Sequence, residues 1–183
     1  MDQIDDIRYP IGREEDQPAS SEEYNELLKA SFLREIKILP TSLEMTILNL
    51  DAEQLNTAYR KDGWTVNQLI HHVADSHLIA YSRFKWALTE NNPSIKPYDQ
   101  DAWALLEDTK LVPVNVSLTL LHALHARWYA IMYSLSEEQW QRTIFHPEHQ
   151  KSITLWELLK SYAWHGKHHV AQITALRNRL KWY

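Results

Sequence analysis

The sequence predicts an all-α protein: a four-helix bundle with short connecting helices and an extended N-terminal arm. Three observations predict it. Glycine is scarce, at 3 of 183 residues. Apolar residues recur at the helical period over four long segments. No stretch is rich in strand signals. Helices of that kind each bury one apolar stripe and close around a shared core. A chain of this length can bury such a core and is most simply one domain, residues 20–183, behind an arm of residues 1–19.

The arm holds charged clusters, Tyr9-Pro10-Ile11-Gly12 and Pro18, and is expected to be solvated or draped on the bundle. Ser20-Ser21-Glu22-Glu23 reads as a helix start, and the first long helix carries Leu27, Leu28, Ala30, Leu33 and Ile36. Pro40 is expected to kink or break it, with Thr41-Ser42 recapping a continuation through Leu43, Ile47 and Leu48. Residues 49–63 form a connector with one helical turn near 51–55. The second long helix starts at Thr65, an N-cap with Gln68 at the capping-box position. Its stripe is Val66, Leu69, Ile70, Val73, His77, Ala80, Tyr81, Phe84 and Leu88, and Asn91-Asn92-Pro93 ends it. A connector follows with a short helix near 101–106. The third long helix spans about 115–134 and carries Leu118, Leu121, His125, Trp128 and Met132. Ser136-Glu137-Glu138-Gln139 opens a single turn, and 143–153 reads as a hairpin or irregular loop. Thr154 caps the fourth long helix, which runs to about residue 179.

Composition excludes several functions. The formal charge of −5 carries no basic stripe, which argues against nucleic-acid binding. There is no cysteine, so disulfides, thiolate ligands and an internal thiol nucleophile are excluded. Met1-Asp2-Gln3-Ile4-Asp5-Asp6 is acidic and unlike a signal peptide. No apolar run is long enough to span a membrane. The cytoplasm is the default compartment.

Chemistry concentrates in Tyr162-Ala163-Trp164-His165-Gly166-Lys167-His168-His169. His165 and His169 stand one helical turn apart, a half-site for a divalent metal. Projection on a helical wheel puts His169 inside the apolar arc and His165 on its shoulder, with His168 toward solvent. A third ligand must come from elsewhere, and His71-His72-Val73-Ala74-Asp75-Ser76-His77 is the nearest comparable cluster. There, projection favours His77 as the buried residue, leaves His72 on a shoulder and puts His71 on the polar side. A buried histidine at the position of His77 is more often hydrogen-bonded core than ligand.

The stretch from Gly63-Trp64-Thr65 through His71-His72 to Ser76-His77 resembles the YfiT branch of the DinB superfamily. So do Tyr9-Pro10-Ile11-Gly12, Arg83-Phe84-Lys85, Lys96-Pro97-Tyr98-Asp99, Leu124-His125-Ala126-Arg127-Trp128, Phe145-His146-Pro147 and Trp164-His165 through His169, in the family's order. The resemblance implies a bundle with one divalent metal held by three histidines, His72, His165 and His169, and a homodimer. It overrides the projection on the second helix and agrees with it on the fourth. The chain departs from the family's more histidine-rich run at Lys167 and Gln172, neither a proposed ligand position.

Three neutral histidines leave a divalent ion its full charge and an open position, the pattern of a catalytic site. Zinc is the best single expectation, with nickel or another first-row metal as the alternative. Activation of water would make the protein a hydrolase. Activation of an external thiol would make it a transferase to small electrophiles, and the resemblance points to low-molecular-weight thiols such as bacillithiol. A bundle whose metal is only structural is the third reading. Arg83 follows His72 by eleven residues, about three turns along the same helical line. It is a candidate for binding an anionic group, against a plain surface role. Trp64 and Tyr98 are candidates to line the pocket, against plain packing, and His125 is a candidate to line it or to stand behind the ligands, against a hydrogen-bonded histidine between helices. Asp75 and Asp99 are candidates to support the site, against solvent exposure or a cap, and His146 is a candidate to support it or to act as a lid, against a turn.

Overall fold

The computed structural model describes residues 7–19 and 21–183. The acidic start of the arm, residues 1–6, and Ser20 of the expected first helix start lie outside the described residues. Four long helices build the bundle: α1 (Glu26–Ile47), α3 (Val66–Thr89), α6 (Val114–Tyr133) and α8 (Leu155–Leu180). Short helices α2 (Ala52–Leu55), α4 (Gln100–Trp103), α5 (Glu107–Leu111) and α7 (Glu137–Trp140) sit in the connections. Strands β1 (Thr143–His146) and β2 (Lys151–Thr154) form an antiparallel hairpin that pairs Thr143 with Thr154 and His146 with Lys151. No helix among the described residues is long and apolar enough to cross a membrane.

Local chemistry explains most boundaries. Thr65, Ser136 and Thr154 each accept from a third-position backbone N–H, while Gln68, Gln139 and Glu157 return the bond to the cap. Asp51 and Gln54 do the same for α2. These capping boxes satisfy donors that have no partner inside the helix.

Two expectations about α1 need correction. It starts at Glu26 rather than at the Ser20–Glu23 stretch, because Asn25 supplies the cap, accepting from the N–H groups of Leu27 and Leu28. The Glu22 carbonyl instead accepts from Trp156 Nε1 and Lys160 Nζ, which ties the entry segment to α8. Pro40 neither breaks nor ends the helix, which runs through it without a new cap. Proline removes the donor that the Ile36 carbonyl would meet four residues on. His125 Nδ1 on α6 takes that place at 2.6 Å, so the freed carbonyl is satisfied across the bundle.

Around the bundle α1 packs on α6 and α8, and α3 packs on the same two, so α1 and α3 are diagonal. The core falls into two apolar clusters. One gathers Phe84, Trp128, Trp140 and Trp156, and the other Leu43, Val66, Ile70, Leu121 and Ile173. Between them, at mid-height of the helices, lies a buried polar belt: His72, Ser76 and His77 of α3, His125 of α6, and His168, His169 and Gln172 of α8. Burying so many polar groups is costly unless each finds a partner, so their bonds carry information.

Candidate metal centre

Helix α8 brings His165 and His169 to one side, one turn apart, and α3 brings His72 to face them. Their Nε2 atoms converge: His72 to His165 is 3.1 Å and His169 to His165 is 3.1 Å. The three ligand atoms lie within 4.8 Å of one another. An ion bound tetrahedrally at about 2.0–2.1 Å would set its nitrogens about 3.3 Å apart, so the spacing fits. Protonation fits as well. His169 Nδ1 donates to Gln172 Oε1 at 2.8 Å, which leaves the Nε2 lone pair of the neutral ring pointing into the cluster. Burial pushes His165 and His169 well below the ordinary imidazole range, with neighbouring imidazoles adding to the shift. His72 falls to about 2, through burial and the nearby His169. Three neutral rings with converging Nε2 atoms, the His169 lone pair turned inward among them, are a metal-ready donor set.

Of the other three histidines in these clusters, His71 and His168 are occupied elsewhere. His71 bridges to α6 and its approach: Nε2 donates to the Val112 carbonyl at 3.1 Å, and Nδ1 pairs with Ser117 Oγ at 2.8 Å. His168 accepts at Nε2 from Gln172 Nε2 and stacks on Trp164, with ring centroids 4.6 Å apart. Both are buried, which corrects the expected polar-side and solvent-facing positions. The arm is the reason at His168: Tyr9 lies 5.6 Å from its ring, and Gln172 Nε2 also donates to the Arg8 carbonyl. The described part of the arm is thus draped on α8.

Two cavities meet at the cluster, and His165, Trp164 and Gln100 line both. The larger, about 860 Å³, is walled by Ser76, Arg83, Tyr98, His146 and Tyr162. The smaller, about 410 Å³, is walled by Tyr9, Arg60, Trp64, His72 and His169. Trp64 lies with its ring 4.5 Å from that of His72. Arg83 donates from Nη1 to the Tyr162 hydroxyl at 3.1 Å, while its Nε is buried without a partner. Burial lifts the Tyr98 hydroxyl to about 12, so it stays a donor. His146 ends β1 in the larger cavity with Nδ1 buried and unpartnered.

Of the two places offered for His125, the structure gives the one behind the pocket, hydrogen-bonded between helices. His165 Nδ1 meets His77 Nε2 at 3.2 Å, His77 Nδ1 meets His125 Nε2 at 3.0 Å, and His125 Nδ1 reaches Ile36. Asp75 and His146 do not support the three histidines through hydrogen bonds among the described residues. The outer nitrogen of His169 is taken by Gln172 and that of His165 by His77. Asp75 is half-buried, its carboxyl raised to about 6 by burial and by Asp108. Asp99 caps α4, accepting from Ala102 N–H. Gln172 is the residue whose role the sequence reading missed. Its signal was present in the spacing, since it stands three residues after His169 and four after His168 on one helix.

A DinB superfamily model matches residues 35–173. The chain is 48% identical over 179 residues to proteins of Bacillus cereus (strain 03BB102) and Bacillus thuringiensis subsp. konkukian (strain 97-27). The match covers 98% of this chain and 100% of each relative, both named "Putative metal-dependent hydrolase". Among solved structures it is similar to YfiT from Bacillus subtilis, with a TM-score of 0.92 and 40% identity. That match covers 97% of this chain and 99% of YfiT, described as a "probable metal-dependent hydrolase with an unusual four-helix bundle topology".

Proposed function

The chain belongs to the DinB superfamily, and from that premise we propose that it is a metal-dependent enzyme whose ion is held by His72, His165 and His169. The observation that carries the reading is the convergence of three neutral Nε2 atoms between two open cavities. Zinc is the proposed ion, with nickel the alternative, because imidazole suits both. When bound, such an ion supplies a Lewis acid with an open position that lowers the pKa of a water or thiol brought to it.

The finer proposal is transfer of a low-molecular-weight thiol, bacillithiol-like, to a small electrophile. The chain has no cysteine, so the sulfur must come from a cosubstrate. In that reaction the thiol S–H and the electrophile's carbon–leaving-group bond break, an S–C bond forms, and the proton departs with the leaving group. Two cavities sharing His165 give two reactants separate approaches. Arg83, which lines the larger cavity, offers a carboxylate or similar anion a charge-assisted bond. Tyr162, held by Arg83, and Tyr98 place hydroxyls on the same wall for orientation. Hydrolysis of a small molecule is the second reading, favoured by the names that the relatives carry. A purely structural ion is the least supported, since open cavities reach the cluster.

Elemental analysis of single alanine variants tests the ligands. His72→Ala, His165→Ala and His169→Ala are each expected to lose bound metal. His71→Ala and His168→Ala are expected to keep it, and equal metal content across all five overturns the assignment. Turnover of an electrophile panel, with and without added thiol, tests the reaction. Product formed only with thiol supports transfer, and turnover without it moves the assignment to hydrolysis. Firmly bound metal with no turnover of either kind defeats both.

A further inference from the structure

Behind His165 runs a line of hydrogen bonds whose direction is set at its far end. The Ile36 carbonyl can only accept, so His125 Nδ1, 2.6 Å away, carries the proton. A neutral ring with Nδ1–H has a lone pair at Nε2, and His77 Nδ1 stands 3.0 Å from it. The rings of His77 and His125 are 15° from coplanar with centroids 5.0 Å apart, which is end-on contact rather than face stacking. His77 therefore donates from Nδ1 and accepts at Nε2, where His165 Nδ1 arrives at 3.2 Å. We propose that His125 and His77 are positioning residues whose Nδ1–H donors, aligned in series from the Ile36 carbonyl, hold His165 in the tautomer that leaves its Nε2 lone pair facing His72 and His169.

The source of the order is Pro40. In an uninterrupted helix the Ile36 carbonyl would accept from the N–H four residues later, and proline has none. The carbonyl is free to accept from α6, and one residue in α1 thereby orients three imidazoles on three helices. All three are fully or largely buried, and burial keeps each neutral, His125 at about 4 and His77 well below the ordinary range. The consequence at the cluster is specific. His165 and His169 then present two lone pairs to each other at 3.1 Å with no proton between them, a contact that a cation relieves. Metal-bound histidines generally donate their outer N–H to an oxygen acceptor. Here that acceptor is another histidine, itself directed from a backbone carbonyl two rings away.

The inference rests on the three-histidine reading of the site, and its test separates the two. Long-range proton–nitrogen correlation NMR on metal-free protein with ¹⁵N-labelled histidine reads each tautomer directly. His125, His77 and His165 should each show a protonated Nδ1 and an unprotonated Nε2. A proton on Nε2 of any of them in the wild type overturns the proposal. His125→Gln keeps a donor for Ile36 and an acceptor for His77, whereas His125→Phe supplies neither. The Phe variant should disturb the His165 tautomer and lower zinc affinity, by chelator competition, about 10- to 100-fold. The Gln variant should retain both. A folded Phe variant with the wild-type tautomer and zinc affinity also overturns the proposal. If the Phe variant does not fold, the wild-type spectrum and the Gln variant still decide. Wild type that shows these tautomers but binds no zinc refutes the metal reading and leaves the relay standing.

Discussion

Whether a histidine of this bundle faces the cluster depends on what its two nitrogens meet rather than on how deeply it is buried. His71, His72, His77, His168 and His169 are all buried. His71 spends both nitrogens on Ser117 and Val112, and His168 is turned to Gln172 and Trp164. Projection on a helical wheel ranks burial, which is why it favours His77 over His72. It cannot read the partner of each nitrogen, because those partners come from other helices. Asp75 gives a prediction at this scale. Its folded carboxyl is raised from 3.8 to about 6, first by burial, so the native state binds its proton more tightly than the unfolded chain does. The charged form therefore lowers stability above about pH 6, and that penalty fades as pH falls from 6 toward 4. With the carboxyl half in solvent, the effect discounts to about 1 kcal/mol. Asp75→Asn is expected to raise the melting temperature at pH 8 and leave it nearly unchanged at pH 4. A gain of equal size at both pH values would show that charge burial is not its cause.

Elements were legible where their boundaries are set locally. The capping boxes at Thr65, Ser136 and Thr154 depend on residues three apart, so sequence alone places those helix starts. Pro40 was not legible in the same way, because its effect depends on which side chain meets the carbonyl it frees, and that one lies 89 residues away. Asn25 and the Ser20–Glu23 stretch both carry cap-forming residues, and the cap that Asn25 makes, with the tie of Glu22 to α8, separates them only in three dimensions. Gly166 also acts between elements. A Cβ built there would lie 2.5 Å from Leu39 Cδ2 and 2.9 Å from Cδ1, so α8 approaches α1 more closely than a side chain allows. Leu39 is buried at 4% exposure, and its side chain must shift to admit a Cβ. Gly166→Ala is expected to destabilise the fold by about 1–3 kcal/mol, despite the better helix propensity of alanine. It should also weaken zinc binding, because His165 is the adjacent residue and His169 lies on the next turn. Denaturant unfolding and chelator competition check the two effects, and a more stable variant with intact affinity would show that Leu39 repacks freely.

At the scale of the whole molecule, the polar belt separates two apolar clusters, each with its own large buried side chains: Phe84, Trp128 and Trp140 on one side, Leu43, Leu69, Ile70 and Leu121 on the other. That division predicts what metal removal does. Each cluster packs without help from the three ligand nitrogens, and the capping boxes and the bonds of Gln172, His71 and His125 use other atoms than those three. The metal-free protein is therefore expected to stay folded and to unfold cooperatively, unlike small zinc domains whose fold depends on the ion. What the ion adds follows from linkage: at zinc a thousandfold above its dissociation constant, about 4 kcal/mol. For a chain of this size that is a rise of roughly 8–16 °C in melting temperature. Thermal melts of chelator-treated protein, with and without returned zinc, measure the shift. His72→Ala should melt as a folded protein but show almost none of it, because two imidazoles on α8 no longer have their partner on α3. If chelation instead abolishes the cooperative transition, the ion is holding the two clusters together, and the structural reading of the site gains over the catalytic one.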